Sequence, residues 1–226
     1  RDAGAPVQVG SRSIQRIQLA GHTVYGVKMG AGTLQTALSA QALLSRFRCD
    51  RAFSLGPAGA LSHEAAVGSW HRVNSILQWD RPAGPAADSR ASDDQPDWAT
   101  VPPGAHPPLA TTSGVTLASG DSFISSASAS DALRARTGAD AVDMNSSGLA
   151  LVCADHRVPL LVWKVISDHA DEQAGVDFQS FIARYRGEGG AALAAWLAEL
   201  PPNPNDPATY PAIRTLLREG ATAPPS

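Results

Sequence analysis

The sequence predicts an α/β fold, on three observations. Between Gly114 and Asp171 an apolar strand-like run, a polar turn and a helical segment follow one another, and the cycle then repeats; this is the alternation that builds a sheet covered by helices. A second strand-like run ends in Met29-Gly30-Ala31-Gly32-Thr33 and leads into Leu34–Arg46, whose apolar spacing is helical. The chain has 226 residues, 43% hydrophobic and 17% charged, which suits one ordinary α/β domain over 1–226.

Taken in order, residues 1–12 are polar, carry Gly and Pro and have no period, so they read as a loose arm. Alternation over Ser13–Leu19 and His22–Met29 predicts two strands of a hairpin joined at Ala20-Gly21. The glycine turn before Leu34 could cradle an anion, because unpaired N–H groups point out of a first helical turn. Position 35 is Gln, however, so a dinucleotide fingerprint is incomplete. Arg51–Leu55 reads as a short buried strand, Gly56–Leu61 as a tight turn needing positive φ at its glycines, and Val67–Leu77 as another strand. Asp80–Leu109 holds seven of the 17 prolines and little apolar periodicity, so it is expected to be a surface excursion. Val115–Ala118 and Leu160–Ile166 are strand-like and end in Ser119-Gly120-Asp121-Ser122 and Ser167-Asp168-His169. Ligands of open α/β sheets sit outside the carboxyl ends of strands, which places both aspartates at a site. Phe178–Leu200 has helical spacing weakened at Gly187, Gly189 and Gly190 and stopped by Pro201–Pro204; Tyr210–Leu217 is a short helix, and 221–226 a flexible tail.

Composition excludes several functions. A net charge of -3 leaves no basic stripe for a nucleic acid polymer. No apolar run reaches the ~18 residues that cross a bilayer, so a soluble chain without a membrane partner is expected. The start at Arg1 suggests a processed chain, whether after a signal peptide or by trimming. The two cysteines, Cys49 and Cys153, are expected at the end and in the middle of helices as reduced thiols. The six histidines show no zinc spacing, so no metal or other cofactor is expected.

Four blocks carry a family resemblance: Ser54–Leu61, Ser119–Ile124, Val142–Asn145 and Ile166–Asp171. They are similar, in that order, to the T-G-S-A-G-G-L, S-G-D-x-F-I, V-[DE]-M-E and I-S-D-x-A-D motifs of the nucleoside phosphorylase and nucleosidase superfamily. The match is closest to its methylthioadenosine/S-adenosylhomocysteine nucleosidases. The resemblance implies a three-layer α/β/α domain with a mixed twisted central sheet, here with the family's first strand missing. It also implies a homodimer, a cytoplasmic location and a purine nucleoside ligand. Asp168 would be the acid that protonates the leaving base, with Ser167 beside it. Phe123 would stack on the base and Ile124 would reach it through its backbone; Met144 and Asn145 would line the ribose, and Ala58 and Gly59 would lie close to base and ribose.

The sequence departs from the pattern at three places. Asn145 stands where relatives carry a glutamate that grips the ribose hydroxyls, and a neutral amide loses the charge-assisted part of that contact. Pro57 replaces a serine and removes a hydroxyl and an N–H together. The family's water-activating glutamate precedes the segment matching Ser13–Met29, where the only acid is Asp2; Glu64 and Asp121 are further candidates for that role. No arginine flanks the glycine turn to hold phosphate, which favours hydrolysis over phosphorolysis. The expectation is an N-ribosyl hydrolase with an impaired water-activating half, set against a non-catalytic descendant that binds a nucleoside or serves an interaction role.

Overall fold

A computed structural model describes residues 4–19, 21–62, 65–80, 112–185 and 187–199. Eight strands and five helices occur among them: β1 (Val7–Val9), β2 (Arg12–Leu19), β3 (His22–Val27), α1 (Thr33–Arg46), β4 (Ala52–Ala60), β5 (Trp70–Gln78), β6 (Thr112–Ser119), α2 (Ala127–Thr137), β7 (Ala141–Asp143), α3 (Ser146–Asp155), β8 (Leu160–Asp168), α4 (Ala174–Tyr185) and α5 (Glu188–Glu199). The fold is α/β with a mixed central sheet, as expected. The bulk of the Asp80–Leu109 stretch, Pro201–Pro204, Tyr210–Leu217 and 221–226 lie outside the described residues.

The central sheet closes on itself in the order β4-β7-β6-β5-β8. β8 runs parallel to β4 over nearly its whole length and closes the ring by antiparallel pairing with β5 at Trp70–Arg72. All nine residues of β8 are buried, the pattern of a strand covered on both faces. α1 and α3 lie together. Gly148 permits that approach, because a Cβ there would run into the Thr33 carbonyl. β1, β2 and β3 form a separate antiparallel meander. Leu19 and Val24 of the meander pack with Leu161 and Trp163 of β8 and with Trp196 and Leu197 of α5.

Four expectations need correction. The loose arm contains β1, because its alternating Val7 and Val9 find β2 as a partner. The turn at Gly56–Leu61 does not exist: β4 continues through Ala60 with a register shift between Ala58 and Gly59, and neither Gly56 nor Gly59 has positive φ. The long C-terminal helix is two, parted at Gly187, whose φ of 90° suits only glycine. Cys49 lies just beyond α1, not in its last turn; it is half-buried and Cys153 is buried in α3, and both are free thiols.

Candidate active site

The strand register brings the four sequence blocks to one place. Gly59 pairs with Val142 on one side and with Asp168 on the other, while Ser119 pairs with Asp143. Here opens a cavity of about 380 Å³ whose lining includes Pro57, Ala58, Gly59, Phe123, Ile124, Met144, Asn145, Ser167 and Asp168. The expected acid and the expected substrate-binding residues therefore line one cavity, whereas Asp121, a candidate for activating water, is not among its lining residues. A larger cavity, about 670 Å³, lies between β3, α1, the start of β4 and α5, and it holds none of them. The smaller is the candidate site because, unlike the larger, it gathers a buried carboxyl with perturbed acidity beside apolar walls.

Asp168 ends β8 with 2% of its surface exposed. Burial pushes its carboxyl above the usual aspartate range, and the charges of Asp177 and Asp171 push the same way. Hydrogen bonds from the Ser167 hydroxyl to Oδ2 (2.7 Å) and from the Ala170 N–H to Oδ1 (3.0 Å) oppose them in part. The Ser167 hydroxyl also lies 3.3 Å from the Ala58 carbonyl, so it can turn there and accept from Oδ2 once Asp168 is protonated. Both protonation states thus have partners. Gly59 is glycine because of this carboxyl, not because of its own backbone angles: a Cβ there would stand 2.8 Å from Oδ1 and 3.3 Å from Ala170 and Val142.

A second carboxylate, Asp143, also lines the cavity and is already engaged. Burial alone would raise its pKa, but Lys164 (2.7 Å), Ser146 and Ser119 hold it below the usual range. Sequence reading passed over this pair; the signal was Lys164 itself, a lone cation in an apolar strand run that requires a buried partner.

Phe123 is half exposed and meets Phe178 of α4 edge to face, with ring centroids 6.2 Å apart. Phe178 and the exposed Gln179 line the cavity too, and neither was singled out from sequence because α4 gives no motif. The Ile124 side chain belongs to the core cluster of Leu61, Leu133 and Val142, and the residue also lines the cavity. The Asn145 side chain is tied down: Nδ2 donates to the Gly30 carbonyl (2.6 Å) and to Thr36 Oγ1 (2.8 Å). The N-terminus of α1 carries a carboxylate of this chain, with the Thr33 N–H donating to Asp121 Oδ1. Asp2 and Glu64 lie outside the described residues.

A family model described as the phosphorylase superfamily matches residues 3–198. The chain is 28% identical to the 5'-methylthioadenosine/S-adenosylhomocysteine nucleosidase of Mycobacterium bovis, over 82% of this chain and 83% of that protein. The likeness to the Bacillus anthracis nucleosidase is also 28%, over 73% and 76%. Among solved structures, the S-adenosylhomocysteine nucleosidase of Streptococcus pyogenes in complex with 5-methylthiotubericidin superposes with a TM-score of 0.74 at 22% identity, over 88% of this chain and 89% of that one. The futalosine hydrolase of Helicobacter pylori superposes with 0.71 at 21% identity, over 86% and 88%.

Proposed function

The chain belongs to the phosphorylase superfamily, and from that premise we propose that the Asp168 cavity binds a purine nucleoside and hydrolyses its N-ribosidic bond. The observation that carries the proposal is a buried carboxyl of raised pKa at the end of β8, in a cavity with an aromatic wall and neutral polar groups. The C1'–N bond breaks with its electron pair leaving on the base, and Asp168 supplies the proton that neutralises it. Water adds to C1', and its proton passes to solvent. Phe123 stacks on the base, the Ile124 backbone hydrogen-bonds it, Ala58 and Gly59 lie along base and ribose, and Met144 and Asn145 take the sugar. The nucleosidases of Mycobacterium bovis and Bacillus anthracis support a methylthioadenosine-like or S-adenosylhomocysteine-like substrate.

Hydrolysis is preferred to phosphorolysis because Asp121 already sits on the Thr33 N–H at the α1 N-terminus, where a second anion would be repelled. Turnover is expected to be slow. Among the described residues lining the cavity the carboxylates are Asp143, which is consumed by Lys164, and Asp168, which is the acid, so neither is free to activate water. The same observation favours the second reading, a nucleoside-binding protein without catalysis. The test is incubation with methylthioadenosine, S-adenosylhomocysteine, adenosine and inosine, following free base by chromatography. Slow base release, below the typical ~10 s⁻¹, is expected; binding without any release selects the second reading, and no binding overturns both.

The pH dependence has a defined sign. An acid of raised pKa is active below that pKa, so base release should fall as pH rises through it. Ser167→Ala removes a hydrogen bond that favours the ionised form, so the alkaline limb of the rate profile should move to higher pH. An unmoved limb would show that it does not report Asp168.

A homodimer belongs to the same proposal. Leu34 and Leu38 of α1 and Leu151 of α3 are 74%, 58% and 61% exposed, and α1 and α3 pack together. Apolar exposure of this kind is what a subunit interface covers. Sedimentation is expected to give twice the chain mass.

A further inference from the structure

The sugar end of the cavity is unusual in having no anion to offer. Asn145 is fixed in orientation, because the Gly30 carbonyl can only accept and so must face Nδ2. Thr36 Oγ1 takes the second amide hydrogen. The one group of Asn145 left to meet a ligand is Oδ1, a neutral acceptor to which no described residue donates. Asp143, the carboxylate two residues before Asn145, has its charge answered by Lys164 and hydrogen bonds from Ser146. Apart from Asp168, already assigned as the acid, the remaining polar lining groups, Ser122, Ser167 and Gln179, are neutral. A vicinal diol is thus met by a weak acceptor and not by a carboxylate.

We propose that this cavity discriminates ribose from 2'-deoxyribose by no more than about tenfold, so that purine 2'-deoxynucleosides are ligands and substrates alongside ribonucleosides. The inference rests on the nucleosidase reading and deepens it. A hydrogen bond to a neutral acceptor, set against the one to water that it replaces, is worth roughly two- to tenfold in affinity, whereas one to a charged group is worth roughly ten- to 150-fold. Loss of the 2'-hydroxyl therefore forfeits little here. It also helps the chemistry, since the hydroxyl withdraws electrons from C1' and disfavours the cationic sugar that forms as the base departs. A site whose main catalytic asset is protonation of the base gains from a sugar that ionises more readily.

The test measures adenosine and 2'-deoxyadenosine side by side. Titration calorimetry uses the Asp168→Asn protein, which is expected to hold both uncleaved, and competition binding to the wild-type protein serves if that variant fails to fold. Dissociation constants within about tenfold of each other are expected for a single neutral contact. A preference for adenosine of more than that would overturn the inference while leaving the nucleosidase reading in place. Binding of neither would overturn that reading, and this inference with it. Asn145→Glu supplies a second check: a carboxylate at this position is expected to create a preference for adenosine of roughly tenfold or more. An unchanged ratio in that variant would show that position 145 does not face the sugar.

Discussion

Replacing Asp168 by asparagine should lower base release by at least ~10²-fold, the lower bound for general acid catalysis, while nucleoside affinity stays within a few fold. The amide keeps the shape and can still accept from the Ala170 N–H at the end of β8, so the ligand meets nearly the same surface. What it loses is the proton. A departing purine that stays unprotonated is a poor leaving group, and the described lining offers no second carboxyl in a suitable state, because Asp143 is held ionised by Lys164. Turnover assays beside calorimetry separate the two effects. Loss of binding in parallel with turnover would make Asp168 a structural residue, and unchanged turnover would remove it from the mechanism.

The largest effect on stability is expected from Lys164→Met, at about 3–5 kcal/mol, the cost of stranding one member of a buried ion pair. Lys164 and Asp143 are 2% and 6% exposed, and Asp143 would be left charged in the cavity lining with only hydroxyl and backbone partners. Adding Asp143→Asn to the same chain should restore much of the loss, because it removes the stranded charge. The pH dependence follows from the depressed pKa of Asp143. In the wild-type protein its contribution is complete above the ordinary aspartate value of about 3.9 and is lost as pH falls through the lower folded value. In Lys164→Met the carboxyl is buried without its cation, so that protein should gain stability relative to wild type on acidification. Denaturant titration across pH reads both, and equal losses for the single and double variants would show that the pair acts by packing alone.

The central part of the fold was legible because local signals agreed there. The segment from β6 to β8 alternates strand and helix, Ser126 accepts from the Ala129 N–H to start α2, and Gly138 ends it in the left-handed conformation. The candidate site was legible as a set of four blocks, each of which contributes lining residues to one cavity. The end of β4 was not legible: Gly56, Pro57 and Gly59 are poor strand residues, and only the long pairing with β8 and the close approach of Asp168 explain their place. The strand β1 was hidden because three residues are too few for a period. The Asn145 tether was hidden for a different reason, since its partners Gly30 and Thr36 are more than 100 residues away in sequence.

Hydrolysis at the Asp168 cavity is tested most directly by identifying the sugar product when the wild-type protein is incubated with 5'-methylthioadenosine in phosphate buffer. Hydrolysis should give adenine and free methylthioribose in equal amounts, at a rate that phosphate does not change. Methylthioribose 1-phosphate among the products, with turnover rising with phosphate, would contradict it.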